Sequence, residues 1–389
     1  MSQPYVSPQP ARGRPRPSVW GWATGLLLLF LFAAIGTGGY WLGHRSYGAD
    51  LLDPLWVRAY LDRPLDTSAP SDGFWVAGYY VDYDRTSLDV VRTRSNHMDQ
   101  VVVFGYGFDP LGNLTGTDQS IVRGLTGPQK RILLFGNLTN GTFNADTAHA
   151  ILTDKAVQDK AVTAMMTKVN DLAAGGIQID FENILAKDRD AYTAFLRRLK
   201  GELKPGGLTL SIAAAAKTRD STDGWGGATD YAAVGAIIDQ MYIMVYDEHW
   251  KGGEPGPVAS LPWTEKVVRY ATGVMPAQKI VLGIPFYGYE WPSDGKSGGA
   301  KAYGSQSMAA RVAGFGANVK WDPVAGENVA TYKTPSGDRV AWWPDERSLD
   351  AKLKLAYQYN LKGVALWRLG FEPDDWWNRM GAFRLNPTK

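Results

Sequence analysis

A chain of 389 residues with 45% apolar side chains is long enough for one large globular domain or two ordinary ones, with a sizeable core. It has no cysteine, which excludes disulfides and thiolate metal sites and leaves the fold to rest on burial alone. Its 41 Lys and Arg against 39 Asp and Glu include Arg12, Arg14 and Arg16 in an N-terminal leader; the near-neutral remainder argues against a nucleic-acid or anionic-lipid surface and for a neutral or mixed-charge ligand.

Residues 1–18 form that leader, Pro-rich and free of acids. The run 19–42 carries no charge and is long enough to cross a hydrocarbon layer of about 30 Å as a helix. The leader arginines keep the N-terminus cytoplasmic and send the rest to the periplasmic or extracellular side, so a single transmembrane anchor is predicted. The competing reading is a secretory signal cut near Ala33 and Ala34, which would release the domain. Residues 43–73, rich in Pro, Asp and Arg, are expected to be a linker with at most a short helix over 51–61.

From residue 74, short apolar runs at 74–80, 100–106, 131–137, 176–182, 208–214, 240–246, 279–287 and 362–367 alternate with segments of crossover length. Helical spacing recurs at 153–174, 189–203, 263–272 and 348–360. Alternating strands and helices of this kind predict an α/β fold, a (β/α)8 TIM barrel over 74–389. Between the seventh and eighth strands, residues 290–345 are rich in Gly, Trp and Tyr and poor in helix signals, and are expected to form a small β-rich insertion over the barrel mouth. Ser348 is the expected N-cap of the last helix, and Ala351 at its third position excludes a full capping box.

The fourth run, 175–182, reads Gly-Gly-Ile-Gln-Ile-Asp-Phe-Glu. In a strand Gln178, Asp180 and Glu182 share one face, and Ile177, Ile179 and Phe181 the other. A half-exposed edge strand gives the same alternation. In a barrel, however, the active site lies at the C-terminal ends of the strands. Asp180 and Glu182, Tyr246 and Asp247, and Trp367 occupy three such ends.

These residues carry a resemblance to glycoside hydrolase family 18, the chitinases and related N-acetylglucosaminidases, over about 74–377. The family's D-x-x-D-x-D-x-E strand aligns with Gly175, Gln178, Asp180 and Glu182; its M-x-Y-D is Met244-Val245-Tyr246-Asp247; its terminal strand tryptophan is Trp367. Gly78-Tyr79-Tyr80-Val81, the run from Gly283 to Gly288 and the run from Ala365 to Gly370 are most similar to the branch of spore-cortex lytic enzymes and domains found beside polysaccharide deacetylases. The chain departs from the motif at Gly175 and Gln178, so a carboxylate relay beneath the acid is missing.

The resemblance implies a glycosidase acting on β-linked N-acetylglucosamine polymers, peptidoglycan or a chitin-like poly-N-acetylglucosamine. Glu182 would protonate the leaving oxygen and the substrate's own 2-acetamido group would attack in place of a second carboxylate. Asp180 would bind the acetamido N–H and the cyclic cation, and Tyr246 its carbonyl. Trp367 would be the apolar floor under the sugar, with Gln178 and Met244 among the substrate-contacting positions. Asp247 would orient the sugar or close a surface network, and Tyr80, Tyr287, Trp250, Trp342 and Trp343 would flank the subsites or merely pack. Asp345 would touch substrate or bond to backbone at the next helix.

His44, His97, His149 and His249 are scattered and lack metal-ligand spacing, and Gly105-Tyr106-Gly107 lacks the third glycine of a dinucleotide loop, so neither metal nor cofactor is expected. Expected partners are the polysaccharide and, through 19–42, the membrane, with no nucleic acid. The rival to hydrolysis is a weakly active or inactive sugar-binding protein on the same barrel.

Overall fold

The computed structural model describes residues 73–117, 119, 130–139, 141–294, 299–373 and 375–385. The leader, the span 19–42 and nearly all of the linker, including the stretch 51–61 where a short helix was expected, lie outside them. Among the described residues no helix is long and apolar enough to cross a membrane.

Eight parallel strands close on themselves: β1 (Trp75–Val81), β2 (Gln100–Phe108), β3 (Lys130–Gly136), β4 (Gly176–Asp180), β5 (Thr209–Ala215), β6 (Gln240–Met244), β7 (Ile280–Pro285) and β8 (Gly363–Trp367). β1 pairs with both β8 and β2, which completes the barrel. β4 lies between β3 and β5 with all five of its residues buried. It is therefore no edge strand, and its alternation separates two buried faces. Ile177 and Ile179 pack outward with Phe195, Leu196 and Leu199 of the helix Arg189–Leu203, while the barrel interior holds Ala77, Tyr79, Val102, Ile132, Leu134, Tyr242, Val281 and Ala365.

Three strands end before their apolar runs do. β4 stops at Asp180, β6 at Met244 and β7 at Pro285, because the following backbone leaves the pleat. Asn183 and Asp247 have φ of +56° and +61°, a left-handed conformation that Asn and Asp tolerate better than other residues with a side chain. Glu182, Tyr246 and Asp247 thus stand on the loops just above the strands.

The helix foreseen at 153–174 runs over Lys155–Asp171 under an Asp154 cap, after a separate helix Ala145–Thr153 capped by Asn144. The insertion starts at Tyr287, three residues earlier than expected. Its five antiparallel strands lie in the order Lys301–Gly304, Tyr287–Pro292, Gly337–Trp343, Glu327–Thr334, Lys320–Asp322. It also contains a helix the composition hid, Ser305–Gly314, whose Met308 and Val312 pack on Ala330, Tyr332, Ala341 and Trp343. The last long helix is Glu346–Gln358, and its N-cap is Asp345, not Ser348. Asp345 accepts from the backbone N–H of Arg347 and Ser348 while Ser348 accepts from the Asp345 N–H, so a reciprocal box does form, one turn earlier than expected.

A buried clasp joins this helix and the insertion to the loop after β6. Glu327 accepts from the N–H groups of Val258 and Ala259, both at 2.9 Å, and Glu248 accepts from that of Ser260 at 2.7 Å. The ammonium of Lys352 stands 3.7 Å from Glu327, both side chains fully buried.

Candidate active site

Asp180 ends β4 facing the barrel interior and is 5% exposed. Its Oδ1 is buried and has no hydrogen-bond partner among the described residues. Such an oxygen is costly unless a ligand N–H meets it. Burial raises its pKa. Glu182, two residues on, is raised by its own burial and further by the negative charges of Asp180 and Asp247. Its carboxyl is therefore held protonated at neutral pH, as a general acid needs.

The backbone of Glu182 is clamped. Asn137, fully buried just after β3, accepts from the Glu182 N–H at 2.9 Å and donates to the Glu182 carbonyl at 2.8 Å. The same amide donates to the carbonyl of Asn144. Asn137 ends the third apolar run, but nothing further in the sequence marks this role.

Tyr246 joins the carboxylates. Its hydroxyl is pushed to higher pKa by burial and by Tyr79, Asp180, Glu182 and Asp247. Its ring meets that of Tyr287 edge-on, with centroids 6.2 Å apart. Asp247 accepts hydrogen bonds from the hydroxyls of both Tyr287 and Tyr289. Burial raises its pKa and those two bonds oppose the rise. The first strand of the insertion thus supplies two phenols to the site, of which Tyr289 was not anticipated.

Trp367 closes β8 and lies between the interior cluster and the cluster of Val258, Tyr287, Tyr289 and Trp291. Tyr79 and Phe104 meet it edge-on, with ring centroids 5.3 and 5.7 Å away. Its indole is partly exposed. Met244, 8% exposed, lines a cleft with Glu182, Phe181, Ala213, Ala215 and Trp225.

Two anticipated contacts are not made. Tyr80 points outward into the core between barrel and helices, and it is Tyr79 that faces the interior. Both faces of β1 are apolar, so alternation could not choose between them. Gln178 is fully buried one layer below Asp180, accepting from the Tyr79 hydroxyl at 2.8 Å and donating to Ser211 at 3.2 Å. It supports the site from beneath and is closed to substrate. Gly175 precedes β4 altogether, its N–H on the Arg131 carbonyl, roughly 16 Å from Asp180 at strand rise. A carboxylate missing there is missing from the floor of the barrel. Trp343 is core of the insertion, Trp342 packs beside Tyr287, and Trp250 is 53% exposed.

A closed barrel that brings a buried Asp, a Glu of raised pKa, a tyrosine and a tryptophan to its C-terminal mouth carries the residue types of a carbohydrate-cleaving site. Residues 130–372 match the family model described as Glycosyl hydrolases family 18, and the chain belongs to that family; it is a glycosidase. A relative in Bacillus subtilis (strain 168), named sporulation-specific glycosylase YdhD, is 30% identical over 79% of this chain and 76% of its own length. The cortical fragment-lytic enzyme of Bacillus anthracis is 33% identical over 63% of this chain, which spans 58% of that relative. The crystal structure of the Bacillus cereus spore cortex-lytic enzyme SleL superposes with a TM-score of 0.74 at 28% identity, covering 79% of this chain and 73% of that one.

Proposed function

We propose that this glycosidase hydrolyses β-linked N-acetylglucosamine polymers by substrate-assisted retaining hydrolysis. Glu182 gives its proton to the leaving oxygen while the 2-acetamido oxygen of the sugar on Trp367 attacks the anomeric carbon. Asp180 accepts the acetamido N–H and stabilises the oxazolinium cation, and Tyr246 holds the acetamido carbonyl in attacking position. Glu182, now a carboxylate, then takes a proton from the water that opens the ring.

The observation that carries this reading is the unpaired Oδ1 of Asp180 beside a protonated Glu182. A conventional nucleophile would need open access to the anomeric carbon, whereas a buried acceptor suits an N–H. The relatives named for cortical fragment and spore cortex lysis support a cell-wall polymer as substrate. In the same reading the run 19–42 anchors the domain outside the cytoplasmic membrane.

A thiazoline analogue of the cyclic intermediate tests the mechanism. It is expected to inhibit competitively and to lose affinity at least tenfold in Asp180→Ala; turnover that proceeds undisturbed at saturating analogue would contradict the acetamido as nucleophile. Binding of the polymer without any cleavage would instead favour the sugar-binding alternative.

A further inference from the structure

The loop after β5 presents one large apolar side chain to solvent, Trp225, 45% exposed, in a segment otherwise built to stay still. Lys217, 5% exposed, donates from its ammonium to the carbonyls of Ser221 and Thr229 and pairs with Asp220. Arg189, reaching over from the start of the helix Arg189–Leu203, donates to the carbonyls of Ser221 and Gly227 and also pairs with Asp220. Gly224 has φ of +66°, and a Cβ on Gly227 would meet the Asp223 backbone at 2.8 Å. Two cations and a tight glycine turn fix the loop, yet the indole at its tip is left uncovered.

That indole stands beside the acid. Trp225 and Glu182 line the same cleft, and the Trp225 N–H is within hydrogen-bonding reach of the Glu182 carboxyl. The sugar whose acetamido attacks sits over Trp367, so the opposite side of Glu182 is where the leaving sugar departs. An exposed ring rigidly held there suits the apolar face of a pyranose.

We propose that Trp225 is the platform for the leaving-group sugar and, through its indole N–H, the hydrogen-bond donor that steadies Glu182 as a carboxylate between the two halves of the reaction. This rests on the substrate-assisted reading above. The titratable groups facing Glu182 are Asp180 from its own strand and Tyr246 and Asp247 from the loop after β6. All of these resist its ionisation or are neutral, and Trp225 is the group that favours it.

The test uses the intact chain, an N-acetylglucosamine oligomer, and the β-fluoride of an N-acetylglucosamine disaccharide, which offers no sugar on the leaving side. Trp225→Ala is expected to lose about tenfold more in kcat/KM on the oligomer than on the fluoride. Trp225→Phe keeps a ring but no donor, and its alkaline limb of kcat/KM is expected to rise by about one pH unit. Equal losses on both substrates would reduce Trp225 to a structural residue and overturn the platform. An unmoved alkaline limb in Trp225→Phe would overturn the donor. A wild-type chain that cleaves neither substrate would instead sink the hydrolytic reading itself.

Discussion

At the scale of single residues, the site depends on keeping one carboxyl protonated in a wall of negative charge. Glu182 is raised by burial first and by Asp180 and Asp247 next. With Glu182 as the proposed acid, activity is expected to persist while Glu182 holds its proton and to fall as pH climbs through its raised pKa. Asp180→Asn removes the adjacent charge, makes the Glu182 carboxylate easier to form and should move the alkaline limb of kcat/KM to lower pH, besides slowing turnover. A pH profile of that variant with an unshifted limb would mean that Asp180 does not set the acid. Asn137 has a different task. Its two bonds to the backbone of Glu182 fix where the acid points, and Asn137→Ala should cost about 1–3 kcal/mol of stability while lowering kcat more than it raises KM. Asp180, Glu182, Tyr246 and Trp367 were candidates in the sequence because each lies at or near the end of a strand run in a recognisable motif. Asn137, Tyr79, Tyr289 and Trp225 were not, because their roles come from neighbours distant in sequence.

At the scale of elements, all eight barrel strands were readable as apolar runs, since burial on both faces leaves few polar interruptions. Their ends were harder. Apolar residues continue past Asp180, Met244 and Pro285 into loops that are themselves buried, so composition does not change where the pleat stops. The cap of the helix Glu346–Gln358 was misplaced for a related reason: Ser348 is a good capping type, but Asp345 one turn earlier has both free N–H groups in reach. Asp345→Ala should lose about 1 kcal/mol in urea unfolding, as N-cap removals do. The clasp of Glu327, Glu248 and Lys352 makes a stronger claim. Lys352→Met leaves the buried Glu327 without its cation, and about 3–5 kcal/mol of stability should go with it. The double variant with Glu327→Gln should recover part of that loss. If Lys352→Met unfolded at the wild-type urea midpoint, the clasp would have no hold on the loop bearing Tyr246 and Asp247.

At the scale of the whole molecule, a barrel brings residues from β3, β4, β6 and β8 to one rim, and the insertion after β7 adds Tyr287 and Tyr289 from the side. The fold class and the rim followed from counting strands and asking what ends each. The reach of the insertion did not, because its contacts with Asp247 join two separate loops. The missing motif carboxylates also look different in three dimensions. Gln178 is occupied with Tyr79 and Ser211, and Gly175 lies before β4, away from its C-terminal end, so neither departure touches the rim where bonds would break. In the mechanism proposed, Glu182 cleaves the polymer with help from the substrate's acetamido group. Mass spectrometry of products tests it most directly, with the intact chain and Glu182→Gln each mixed with a fully N-acetylated oligomer and its deacetylated counterpart. Cleavage of the acetylated oligomer alone is expected, with Glu182→Gln slower by about 10²–10⁴-fold. Equal cleavage of the deacetylated oligomer, or full activity in Glu182→Gln, would contradict it.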